Sequence, residues 1–95
     1  MGYIDEWEWD DENVAHLARH DVTLRTVRQV SEKGPKFREN AEGLAATLQM
    51  IGPDQALDLW TVCILESADH PGRWRAITGW RSTEGEQAWY WKVTG

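Results

Sequence analysis

The apolar residues of this chain change their spacing near Gly34-Pro35, and that change restricts the fold to helices first and strands after. Upstream, Val14, Leu17 and Ala18 recur at helical intervals, as do Leu24, Val27 and Val30. Asp10 or Asp11 is placed to cap the first helix, because a short carboxylate accepts the unpaired first-turn N–H groups, and Glu12 suits the positive helix end. This helix is predicted to run to about His20. Residues 21–23 mark a boundary with Thr23 as the next N-cap, and Gly34-Pro35 closes the second helix.

Downstream the pattern is that of strands, at 44–51, 57–65 and 74–80, rich in branched and aromatic side chains. A turn over 52–55 makes the first two an antiparallel hairpin, 67–72 is a loop, and Trp74, Ala76, Thr78 and Trp80 are expected on one face. Residues 3–9 read as an acidic edge strand, with Trp7 and Trp9 facing one way and Glu6 and Glu8 the other. Thr83 and Glu86 have capping-box spacing for a short C-terminal helix carrying Trp89 and Tyr90, although Gly85 weakens it. The expectation is one α+β domain over residues 1–95, with two N-terminal helices packed on a small antiparallel sheet.

At 95 residues a chain buries a modest fraction of its surface, so its seven tryptophans weigh heavily in the core. The lone Cys63 has no internal disulfide partner and sits among apolar neighbours, which favours a buried thiol over a nucleophile. No apolar run approaches the roughly 20 residues of a membrane span, and acids follow Met1 where a signal peptide has bases. A cytoplasmic protein without membrane association is expected. The net charge of −6 argues against indiscriminate nucleic-acid binding. Its distribution is uneven: Asp5, Glu6, Glu8, Asp10, Asp11 and Glu12 precede Asn13, whereas Arg25, Arg28, Lys33, Lys36 and Arg38 form a later basic stretch. Such a stretch is either a solvated surface or an anion- or partner-binding face.

Two groups carry candidate chemistry. On a helix, Asn13, His16 and His20 fall near one face, able to bind phosphate, relay a proton, or tie the helix to the sheet. No thiolate nearby completes a zinc set, and His70 is distant in sequence, so neither a metal nor another cofactor is expected. Arg73, Arg75 and Arg81 flank a tryptophan-rich strand, a combination that suits phosphate and base recognition but also ordinary protein interfaces. RNA cleavage needs a group to take the 2′-OH proton and positive charge to stabilise the phosphorane. His16 or His20 with Arg75 supplies both, and Glu86 is an alternative base. No phosphate loop, dinucleotide fingerprint, zincin motif or serine-hydrolase elbow occurs.

The order W-D-x-x-N-x-x-H-L-x-x-H-x-V from Trp9, the run L-A-A-T-L-Q-M-I-G-P-D from Leu44, and W-R-A-I-T-G-W from Trp74 followed by Glu86 resembles the BrnT-like toxins of type II toxin–antitoxin modules. The resemblance covers nearly the whole chain. It implies a RelE-like fold, metal-independent mRNA cleavage that arrests translation, and a small DNA-binding antitoxin as partner in a hetero-oligomer, with RNA or the ribosome as target. By position, Trp9, Asp10, Asn13, His16, Leu17, His20 and Val22 match the N-terminal motif, Ile51 and Gly52 the strand end, and Thr78 and Glu86 the late motif. On this reading His16, His20, Arg75 and Glu86 are catalytic, and Arg73, Arg75 and Arg81 bind RNA. The chain departs from the family pattern in its acidity, in Gln55-Ala56 where Gly-Arg is usual, and in Trp80 where an arginine is common. A noncatalytic relative that binds a small protein partner is the alternative.

Overall fold

The computed structural model describes residues 4–39 and 47–95. In chain order they form β1 (Glu6–Trp7), α1 (Asp11–Ala18), α2 (Leu24–Glu32), β2 (Lys36–Glu39), β3 (Leu48–Pro53), β4 (Leu59–Glu66), β5 (Arg73–Arg81) and α3 (Glu84–Thr94). This is the expected α+β layout, with two helices before the main sheet and one after it. The sheet order is β1-β5-β4-β3-β2. From β2 to β5 neighbouring strands are antiparallel, but β1 joins β5 in parallel, with Glu6 opposite Arg73 and Trp7 opposite Trp74. The sheet is therefore mixed, which corrects the antiparallel expectation. Hairpin logic fails here because the chain reaches β5 only after two helices and three strands, and so long a connection permits parallel pairing.

The helix ends follow from local chemistry. Asp10 caps α1, its Oδ1 accepting the Asn13 N–H at 2.8 Å. The helix stops at Ala18, short of the expected His20, because Asp21 turns left-handed at φ 63°. Val22 N–H then donates to the Leu17 carbonyl and Asp21 N–H to that of Ala18, the bond pair that closes a helix through a left-handed residue. Thr23 caps α2 through the Thr26 N–H. Thr83 and Glu86 form the expected capping box of α3, which runs through Gly85 to Thr94.

Strand boundaries needed more correction. β2 gives no strand signal in the sequence, because Lys36 and Arg38 flank a single inward aromatic, Phe37, in a mainly basic stretch. Of the expected 44–51 strand, residues 44–46 lie outside the described residues, and β3 continues through Gly52 and Pro53, where a turn was expected. A Cβ on Gly52 would stand 3.0 Å from Pro35 Cα, so glycine lets the Pro35 turn close on the sheet. The turn itself is 54–58. There Asp54 Oδ1 accepts the N–H groups of Ala56 and Asp58, while Oδ2 accepts Trp60 Nε1–H.

A bulge between β4 and β5 also matters. Cys63 pairs with Thr78 but Ile64 with Ala76, leaving Ile77 extra. Alternation therefore flips within β5: Trp74 and Ala76 join the core beneath α1 and α2, whereas Trp80 turns to α3. The single face expected for residues 74–80 does not exist. Gly79 lies back on the α1/α2 side, where an added Cβ would meet Val22 Cγ2 at 3.4 Å.

Helices cover both sheet faces. Leu17, Val22, Val27 and Val30 pack on Met50, Val62, Ile64, Trp74 and Ala76, while a smaller cluster joins Tyr90 and Trp89 to Ile51 and Leu59. Fully burying one such aliphatic side chain contributes about 1.5–3 kcal/mol, so the larger cluster dominates stability. Cys63 is buried, and burial with Glu86 nearby raises its thiol pKa, in keeping with an inert role. Among the described residues, no helix is long and apolar enough to cross a membrane.

Candidate functional site

The N-terminal motif can be decoded residue by residue. Asp10 caps α1, Leu17 and Val22 enter the core, and Asn13, 4% exposed, donates through Nδ2 to the Ala76 carbonyl on β5. Asn13 is thus the tie between helix and sheet. His16 and His20, one helical turn further on, make no hydrogen bond to the sheet among the described residues. Their rings instead meet edge to face at 5.6 Å, with His16 half-buried and His20 exposed.

His16 and Arg75, far apart in sequence, line one open cavity of about 280 Å³ together with Glu12, Asn13 and Ile77. α1 brings the imidazole and β5 the guanidinium, and the Asn13 bond to Ala76 fixes one element on the other. The site's electrostatics come from the N-terminal acids. Arg75 Nη1 lies 2.7 Å from Asp10 Oδ2 and 3.7 Å from Glu8 Oε2. Arg73 Nε lies 3.5 Å from Glu6 Oε1. The Arg75 hydrogen bond and the Asn13 N–H hold the Asp10 carboxyl below its ordinary range, and Asp10 in turn raises the pKa of Arg75. The Asp10 oxygens thereby join the helix carrying His16 to the strand carrying Arg75.

The other proposed residues lie elsewhere. Arg81 is six positions along β5, roughly 20 Å from Arg75 at strand rise, paired with Asp58 at 2.8 Å and stacked over Trp60. Glu86 is buried against α3, β4 and β5, where its carboxylate accepts from Thr61 Oγ1, Trp80 Nε1 and the Thr83 N–H at 2.8–3.0 Å. Thr61 Oγ1 also bonds Ser82 Oγ. The structure does not bring Glu86 into the cavity of His16 and Arg75, so it corrects the grouping of these residues as one site. Trp80 supplies a donor to Glu86.

Reading the sequence does not find the partners of the arginines. Its only signal is that Glu6 and Glu8 alternate with the same period as Arg73 and Arg75, which acquires meaning once β1 and β5 are known to pair in parallel. Among the described residues, no group of three His, Cys, Asp or Glu side chains is arranged to hold a metal ion. No protein-family model matches the chain, and no match is found among curated proteins.

Proposed function

We propose that the chain is a BrnT-like protein of RelE-type fold that cleaves RNA without a metal, with His16 and Arg75 lining one cavity and His20 beside His16 outside that lining. The observation that carries this reading is the shared lining of that cavity by an imidazole and a guanidinium from opposite parts of the sequence. The order of motif residues is its second support. In the reaction, His16 takes the proton from a ribose 2′-OH as the 2′-oxygen attacks the adjacent phosphorus. Arg75, oriented by Asp10, uses its remaining N–H donors on the phosphorane oxygens. The P–O5′ bond breaks, and His20, beside His16, returns a proton to the leaving oxygen. The products are a 2′,3′-cyclic phosphate and a 5′-hydroxyl. Glu86 has no step in this scheme and positions α3.

The expected setting is the cytoplasm, with a small DNA-binding antitoxin masking the toxin. The purified protein is incubated with mRNA in EDTA, with and without ribosomes, beside His16→Ala, His20→Ala and Arg75→Ala. Cyclic-phosphate ends that vanish in the Arg75 and His16 variants are the expected result. Intact RNA in both settings overturns the assignment.

A second reading, a noncatalytic partner-binding protein, draws on a different surface. Leu57 is 70% exposed and held at φ 71°, a conformation that costs a branched residue about 1–2 kcal/mol. Trp91, 58% exposed, lines a neighbouring cavity with Leu57. A partner that covers these two side chains accounts for their exposure.

A further inference from the structure

We infer that the carboxylates of Glu6 and Glu8 are an internal stand-in for RNA phosphates, occupying Arg73 and Arg75 until a phosphodiester displaces them. The inference rests on the reading above in taking the displacing ligand to be RNA. Its geometric basis is the parallel pairing of β1 with β5, which sets Glu6 opposite Arg73. Just past the end of β1, where Glu8 N–H still bonds the Trp74 carbonyl, the same side presents Glu8 to Arg75. Charges of one sign at every second position thus meet charges of the other, as a phosphate backbone meets a row of arginines.

The contacts differ in a way that suits exchange. Asp10 grips Arg75 at 2.7 Å and is committed to capping α1, so it stays. Glu6 and Glu8 approach only to 3.5 and 3.7 Å and cap no helix; all three carboxylates are about equally exposed, so distance and the capping role separate them. Loose exposed pairs of this kind are weak and easily screened. The backbone of this segment is held separately, by Asp5 N–H and Glu6 N–H to the Gly72 carbonyl and Glu8 N–H to that of Trp74, while Trp7 and Trp9 pack against the core. The two glutamates can therefore swing into water without strand β1 leaving the sheet. A phosphodiester then takes the vacated N–H donors, and the two glutamates lower the affinity for any polyanion by the small amount that two exposed pairs are worth.

The test measures binding of a fluorescein-labelled, 2′-O-methylated single-stranded RNA, which cannot cyclise, across a series of salt concentrations. Glu6→Gln/Glu8→Gln is compared with wild type and with Glu39→Gln/Asp69→Asn, which removes the same charge from exposed acids that make no ion pair among the described residues. The first variant should bind roughly three- to tenfold more tightly than the second, as expected from releasing two exposed pairs. Arg73→Ala/Arg75→Ala added to it should erase the gain, with circular dichroism confirming that every variant is folded. Equal affinity in the two double variants, or a gain that survives loss of the arginines, overturns the inference. Cleavage is scored separately on unmodified RNA. A binding gain without cleavage keeps the stand-in and removes the ribonuclease, whereas wild-type cleavage without a binding gain does the reverse.

Discussion

Glu86 and Arg75 are both charged-type side chains seated against β5, and their surroundings differ in what is left over for a ligand. Glu86 accepts three hydrogen bonds from Thr61, Trp80 and Thr83 in a buried setting, so its capacity is spent inside the fold. Arg75 is also paired, but with exposed carboxylates at the rim of a cavity that His16 shares. Residue type alone made both look catalytic. Satisfaction and access separate them: a group whose partners are all internal stabilises, and one whose partners can be exchanged with solvent is able to react.

That contrast is open to attack in order of expected effect. Arg75→Ala should lower RNA cleavage by roughly 10²–10³-fold, the usual loss on removing one donor from a developing oxyanion, while urea unfolding stays close to wild type. Comparable losses in stability and cleavage break the distinction from one side. Glu86→Ala should remove the acceptor shared by buried Thr61, half-buried Trp80 and exposed Thr83 and cost about 1–3 kcal/mol in urea unfolding, with residual cleavage in step with the folded fraction. A stable, fully folded Glu86→Ala protein that has lost cleavage breaks it from the other.

Smaller effects sharpen the picture. Leu57→Gly removes the left-handed strain of an exposed leucine and should change stability by less than about 1 kcal/mol. If the patch with Trp91 serves a partner, the same variant loses the partner in a pull-down while keeping its fold. Asp10 provides a pH test. Its folded pKa lies below the ordinary value, so its stabilisation is complete above the unfolded pKa and is lost as the pH falls below about 4 and through the depressed value. Thermal melts from pH 6 to 3 should show a flatter acid slope for Asp10→Asn, which keeps an N-cap acceptor. An unchanged slope means that the Arg75 pair carries no linkage. Asp21→Gly, at the left-handed end of α1, should raise stability by a few tenths of a kcal/mol up to about 1.

Much of the local structure was legible in the residues themselves. The caps at Thr23 and Thr83, the choice of Asp10 or Asp11 for α1, and the buried Leu17, Val27 and Val30 follow from neighbours within one or two turns, whereas Ala18, expected on the core face with Leu17, is exposed. Of the candidate site, the pairing of His16 with His20 follows from helical spacing, whereas the shared lining of His16 and Arg75 comes only from the seating of α1 on β5. The placement of Glu86 away from them was not legible, since the bulge at Ile77 reverses the faces of β5 and no local signal announces it.

By itself the sequence determined the helices, four of the five described strands and the mixture of acid and arginine that had to be reconciled somewhere. Only the tertiary structure decided where. The parallel pairing of β1 with β5 is a contact between the two ends of the chain, and it alone sets Glu6 on Arg73 and Glu8 beside Arg75. Local spacing is fixed by bond geometry over a few residues, whereas partners in a sheet are chosen by the packing of the whole core, here Trp7 and Trp74 against the residues beneath α1 and α2.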